Sequence, residues 1–309
     1  MPKRIVGLDA ARAVAIIAMM AAHLTLAGTQ TLGIVGQLLY GFPSALFAVL
    51  AGMSMTLMQP DPLKFTVRGL VLIALHFVLQ LFSGDIYVVL LNFGICMIVL
   101  GWVTAWPSRN LAVLLVALTA ASALIHQFVV PPVDILGYPY PLAVWATLMV
   151  AGMLMRRHLH SVRHYVLGLV VGSALVAGNI VARYYFVPGE ALQWLEPLGH
   201  TGGVLNIIGS IGMAAAVYSL CCLLNPRFLQ PLGSMPLTIY SLHILTAQWM
   251  QWMGFTGGFL ISVITALAFA FAWKHFFNRG PLEEAVKRIT DLTPHTPLTT
   301  SHQPEQEKK

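Results

Sequence analysis

Charge is what this sequence has least of. Asp, Glu, Lys and Arg together make up 9% of its 309 residues, while 58% are hydrophobic. Soluble domains carry roughly a quarter charged residues, so a water-soluble globule is excluded and a polytopic helical membrane protein is expected. Cysteine is scarce as well, and Cys96, Cys221 and Cys222 all fall in apolar segments. A vicinal pair rarely has the geometry to bridge, and nothing has the paired CxxC spacing of a metal site. A disulfide framework and a cysteine metal centre are therefore set aside, and these residues are expected to pack between helices. The pattern of a cleavable signal peptide is missing too. The first apolar run is long, holds Arg12 and shows no small-residue cleavage site before a soluble segment, so it is expected to stay as a first span.

What the chain has in abundance is helix-length apolar sequence. About 20 such residues cross a bilayer, and irregular backbone cannot face lipid. Runs of that kind cover residues 8–28, 34–58, 66–84, 86–106, 110–130, 139–156, 164–186, 202–225, 236–254 and 256–277. The expected fold is all-α: a transmembrane bundle of about ten spans, with N- and C-termini cytoplasmic. Short links such as "SGD", "WPSRN" and "GFTGG" require sequence neighbours to run antiparallel.

The net charge of +6 raises nucleic acid as a partner, and the distribution of charge argues against it. With the N-terminus inside, the 17 Lys and Arg residues all fall on the cytoplasmic side except Arg12, within a span, and Arg183. Asp85, Asp134, Glu190 and Glu196 fall outside. This is the positive-inside pattern, so the basic balance is topological and no nucleic acid is expected to bind.

Residues 1–280 thus read as the bundle. In 281–292, "GPLEEAVKRIT" reads as an amphipathic helix on the cytoplasmic face, with Pro281 in its first turn, Glu283 and Glu284 at its positive start, and Lys287 and Arg288 at its end. Residues 293–309 are polar and Pro-containing and are expected to be disordered.

Ionisable residues inside spans are functional candidates, because burial must be offset by a partner or a water-filled cavity. In "GLDAARAVAIIAMMAAHL", Asp9 and Arg12 lie three apart and can pair on one face. His23 is eleven residues beyond Arg12, about three turns and ~16 Å along the same face. His200 opens the eighth span in "GHTGGVLNIIGSIG", with Asn206 and Ser210 below it. His243 sits within "PLTIYSLHIL", with Tyr240 three residues earlier. His76 and Gln80 form an i, i+4 pair, and Asn92 is a further candidate. His126 is expected at an interface, and His158, His160 and His164 in a solvated basic loop. Small residues recur at intervals of four at Ser44, Ala48 and Gly52, and at Gly212 and Ala216, where helices can approach closely.

These motifs resemble the membrane-embedded acyltransferases. In the acyltransferase-3 branch the first-span signature is an Arg, ten residues and a His, which here falls on Arg12 and His23. "RIVGLDAAR", "LFAVLAGMSMTLM", "GHTGGVLNIIGSIGMAAAVYSLCCLL", "PLTIYSLHIL" and "GPLEEAVKRIT" are similar to bacterial relatives of heparan-alpha-glucosaminide N-acetyltransferase. The likeness runs from residue 4 to about 290. It implies transfer of an acetyl group from cytoplasmic acetyl-CoA to a glycan or glycolipid hydroxyl or amine across the plasma membrane. The eukaryotic enzyme has Asn where this chain has His23, and its catalytic His lies in the following loop. Here that loop, "LTLAGTQTLGIVGQ", has none, so His23 is the candidate.

Under that resemblance, acyl transfer needs a base for the acceptor, a role suited to His23, His200 or His243. It also needs an oxyanion donor, which Tyr240, Asn206 or another His would supply. Arg12 and Arg68, with Lys64, Arg156 and Arg157 nearby, would hold the acetyl-CoA phosphates, and Asp9 would belong to the donor site as the ion partner of Arg12. The Arg12–His23 separation is comparable to a pantetheine arm. Monomer and homodimer are both compatible with the sequence. The competing reading is a multi-pass transporter or lipid flippase, although no clear internal repeat relates the halves.

Overall fold

A computed structural model describes residues 5–24, 33–129 and 139–294. Nearly all of the expected disordered tail, Asp134 and much of the "LTLAGTQTLGIVGQ" loop lie outside the described residues. Among the described residues every regular element is helical: α1 Val6–Leu24, α2 Gly33–Leu39, α3 Phe42–Met55, α4 Pro62–Gln80, α5 Leu90–Leu100, α6 Ser108–Phe128, α7 Leu142–His158, α8 Val162–Tyr185, α9 Val204–Leu224, α10 Gln230–Gly233, α11 Pro236–Trp252, α12 Gly254–Phe276 and α13 Pro281–Asp291, with short 3-10 turns between some of them. Among the described residues seven segments are long and apolar enough to cross a membrane: α1, α2 and α3 taken together, α4, α6, α8, α9 and α12.

The first helix forms the centre. It packs on α3, α9, α10, α11 and α12, and Ala10, Ala11, Ala13 and Ala15 are wholly buried. Alanine is the strongest helix former and makes the thinnest helical surface that still favours the helix, so several neighbours can gather round it. In α1, 61% of the apolar window is buried, against 17% in each of α6, α8 and α12. Those three present Val113, Val116, Val170, Ile264 and Phe271 outward, as lipid-facing helices do.

The small-residue face of α3 meets α7 at backbone contact. A Cβ on Gly52 would collide with the Met149 backbone, and one on Gly152 with the Val49 backbone. A side chain at either position would force the two helices apart.

Three expected elements differ. The run expected as one helix over 34–58 breaks at Gly41, whose φ of 87° is a left-handed conformation that glycine adopts without a Cβ penalty. The helix expected over 86–106 is only 11 residues long in α5. The segment before it leaves the helical path, and its backbone polar groups are bound from neighbouring helices. His76 Nδ1 lies 2.9 Å from the Val88 carbonyl, Gln80 Oε1 accepts from Val88 N at 3.3 Å, and the Tyr240 hydroxyl accepts from Val89 N at 3.3 Å. Buried irregular backbone demands such partners. Finally, His200 does not open α9. It precedes the helix in a turn, with φ 64°.

The C-terminal helix forms as expected, but Glu283 acts on another helix. Its Oε1 accepts from Leu237 N at 2.7 Å and Thr238 N at 3.2 Å, and its Oε2 accepts from the Thr238 hydroxyl at 2.6 Å. It therefore caps the start of α11, whose leading N–H groups would otherwise be unsatisfied. Glu284 makes the local pairs, with Arg288 at 3.0 Å and Arg279 at 3.4 Å, which hold its carboxyl below the usual range.

Candidate functional site

Two cavities enter the bundle from opposite ends. The one at the Lys- and Arg-rich end has a volume near 280 Å³ and is lined by Arg12, Arg68, Ser54, Ser234, Tyr240 and Glu283, between apolar walls that include Phe47 and Phe93. Arg12 is fixed from two sides. Its Nη1 donates to Asp9 Oδ1 at 2.8 Å and its Nη2 to Ser54 Oγ at 2.5 Å. Asp9 is 4% exposed and does not line the cavity, so it orients Arg12 from behind. Arg68, on α4, forms no hydrogen bond among the described residues and stands in the field of Asp291 and Arg279. A guanidinium fork on the wall of a half-enclosed cavity suits an anionic ligand such as phosphate.

The cavity at the other end is smaller, near 90 Å³, and is lined by His23, His200, Tyr40, Tyr87, Tyr140 and Asp85 among others. His23 comes from the last turn of α1. Its Nδ1 lies 3.0 Å from Nε2 of His243, with the rings parallel to within 4°. The Gln251 side chain donates to the His23 carbonyl at 3.2 Å. One proton is shared across the His pair, and His243 Nδ1 is buried without a hydrogen-bond partner. A buried orphan N–H is rarer than a buried orphan acceptor. The favoured tautomer thus has His243 Nε2–H donating to His23 Nδ1, which leaves the proton of neutral His23 on Nε2.

His200 has the complementary state. Its Nδ1 lies 3.1 Å from the Pro139 carbonyl, which accepts only, so Nδ1 carries the proton. Burial pushes the imidazole pKa down to about 4, with Arg183 adding to the shift. The ring is neutral at pH 7, and Nε2 is its basic nitrogen. Tyr40 and Tyr140 meet it edge to face, at centroid distances of 5.1 and 5.4 Å.

The remaining candidates are placed differently. Tyr240 faces the Arg-lined cavity, with its hydroxyl on Val89 N. His243 follows one turn later on α11 and meets the second cavity only through its contact with His23. Asn206 sits behind the His200 turn, donating to the Thr201 carbonyl at 2.7 Å and accepting from Ser210 at 3.4 Å. It holds the turn in place. Asn92 likewise donates to the Tyr140 carbonyl at 2.7 Å. Among the described residues no cluster of His, Cys, Asp and Glu is arranged to hold a metal ion.

Ser54, Tyr40, Tyr140, Arg183 and Glu283 belong to these sites without standing out in the sequence as site residues. The break at "YGFP" was a visible signal for Tyr40. Ser54 was not distinguishable from any other serine in an apolar helix. Comparison with models of known protein families and with curated proteins found no match.

Proposed function

We propose that this chain is an integral membrane acyltransferase, moving an acetyl group from acetyl-CoA on the cytoplasmic side to a glycan or glycolipid hydroxyl or amine on the other side of the plasma membrane. On this reading the bundle crosses the membrane about ten times, with α5, α7 and α11 as further crossings and both termini inside. The observation that carries the reading is the pair of opposed cavities, cationic at one end and histidine-lined at the other, with α1 contributing Arg12 to the first and His23 to the second.

The residues divide the work accordingly. Arg12 and Arg68 bind the CoA phosphates, with Asp9 and Ser54 holding Arg12 in place. The pantetheine arm follows α1 toward His23, and the acceptor occupies the outer cavity. His200 Nε2 takes the acceptor proton as the acceptor oxygen or nitrogen attacks the thioester carbonyl. His23 Nε2–H donates to the oxyanion that develops. The C–S bond then breaks and the thiolate takes up the proton held by His200, giving acetylated acceptor and CoA thiol.

The test is acetyl-CoA binding by the detergent-purified protein, measured calorimetrically, for wild type, Arg12→Ala and Arg68→Ala. Saturable binding that weakens in both variants is expected. A well-folded wild type that binds no acetyl-CoA would overturn the proposal. Opposed cavities also suit a transporter, and uptake of a solute into proteoliposomes without CoA would then be the result to seek.

A further inference from the structure

Arg183, in the last turn of α8, is the one Lys or Arg among the described residues at the histidine-lined end. It does not line the cavity. Its Nε donates to the Pro197 carbonyl at 3.1 Å, and its Nη1 to the carbonyls of Gln37 at 2.7 Å and Tyr40 at 3.2 Å. Its Cζ lies 4.4 Å from the centre of the Phe42 ring. Two loops far apart in sequence are thereby joined to one guanidinium: the corner between α2 and α3, and the turn that carries His200.

The two loops also touch directly. A Cβ on Gly199 would lie 2.6 Å from the Tyr40 carbonyl, and one on Gly41 would lie 2.7 Å from Gly199 Cα. Asn179, one turn before Arg183, donates to the Pro197 carbonyl at 3.1 Å and the Leu205 carbonyl at 2.9 Å. The Pro197 carbonyl is therefore held twice from the same face of α8. The carbonyls at the end of α2 are the orphan acceptors every helix leaves, and a cation there is favourable.

We infer that Arg183 is the positioning residue of the outer site: by clasping the Tyr40 corner to the His200 turn, it sets the wall against which the acceptor binds. The activity part of this inference rests on the acyltransferase reading, whereas the clasp does not. A lysine keeps the charge but has no planar fork with which to span three carbonyls on two loops. Loosening the clasp shifts Tyr40 and His200 relative to His23 and leaves the Arg12 cavity unchanged.

The test uses full-length protein in detergent, as wild type, Arg183→Gln and Arg183→Lys. Diethyl pyrocarbonate labelling of His200 is quantified by mass spectrometry and normalised to the exposed His158 and His160. In both variants His200 labelling is expected to rise several-fold. Acetyl-CoA affinity, measured by calorimetry, is expected to stay unchanged. Wild-type labelling of His200 in folded variants would overturn the clasp, and so would a parallel loss of acetyl-CoA affinity. Raised labelling in variants of a wild type that transfers no acetyl group would sustain the clasp and overturn the acyltransferase reading. Should Arg183→Gln not fold, Arg183→Lys carries the same measurements.

Discussion

Arg12 and Arg183 are both guanidinium groups near the ends of long apolar helices, yet they are held by different partners. Arg12 is bound by side chains, Asp9 and Ser54, and faces a cavity. Arg183 is bound by three backbone carbonyls and lines neither of the two cavities. Side-chain partners aim a cation and leave its outward face open to a ligand. Carbonyl partners use the fork to hold the chain together. The type of partner separates a cavity-facing arginine from an architectural one, and neither composition nor depth in the helix does so.

The largest effect is expected from breaking the first case. Arg12→Ala removes the 2.8 Å ion pair with Arg12 from the Asp9 carboxylate, which is 4% exposed. That is expected to cost about 3–5 kcal/mol of stability and to weaken acetyl-CoA binding, read by thermal unfolding and by titration. Unchanged stability would mean that the Asp9–Arg12 pair is incidental. Next comes the histidine end. His23→Ala removes the oxyanion donor and is expected to lower transfer by roughly two to three orders of magnitude while donor affinity holds. An equal loss of both would merge the two cavities into one site.

A smaller effect distinguishes the cap at the arginine end. Glu283→Gln keeps the shape but replaces charged acceptor bonds with neutral ones, a loss of about 1–2 kcal/mol. It should appear as faster tryptic cleavage at Lys287 and Arg288 with the rest of the chain intact. Cleavage at the wild-type rate would show that α13 is held by its apolar contacts alone.

The last is a pH effect. His200 is held near 4 against an ordinary value of 6.5, so between those values the unfolded chain binds more protons. Its contribution to stability is complete above 6.5 and is lost as pH falls toward 4. His200→Asn is expected to flatten part of that decline in melting temperature, and an unaltered slope would assign the decline to other groups.

Much of this architecture was legible in the residues. Apolar runs located the helices, and three-residue spacing paired Asp9 with Arg12, because both are local signals. The meeting of His23 with His243 was not, since the two lie 220 residues apart and no periodicity reports which helices become neighbours. The same limit hid Ser54 and Glu283. The departure of residues 86–89 from the helix was masked by their apolar composition, which reads as a span whether or not the backbone coils. Gly41 illustrates a signal present but outweighed: the apolar run continues through "YGFP", while the backbone breaks there and turns the Tyr40 carbonyl toward Arg183.

Glu283 has a consequence for the order in which the protein is completed. A ribosome makes α11 before α13, so the first N–H groups of α11 emerge without the carboxylate that later binds them. α1 is made before all of them, and four of its neighbours, α9 to α12, are made only after α8. The central helix, with its buried ion pair, therefore waits through the making of α2 to α8 for the surroundings that justify it. The carboxylate of Glu283, on the wall of its cavity, comes from a helix made later still.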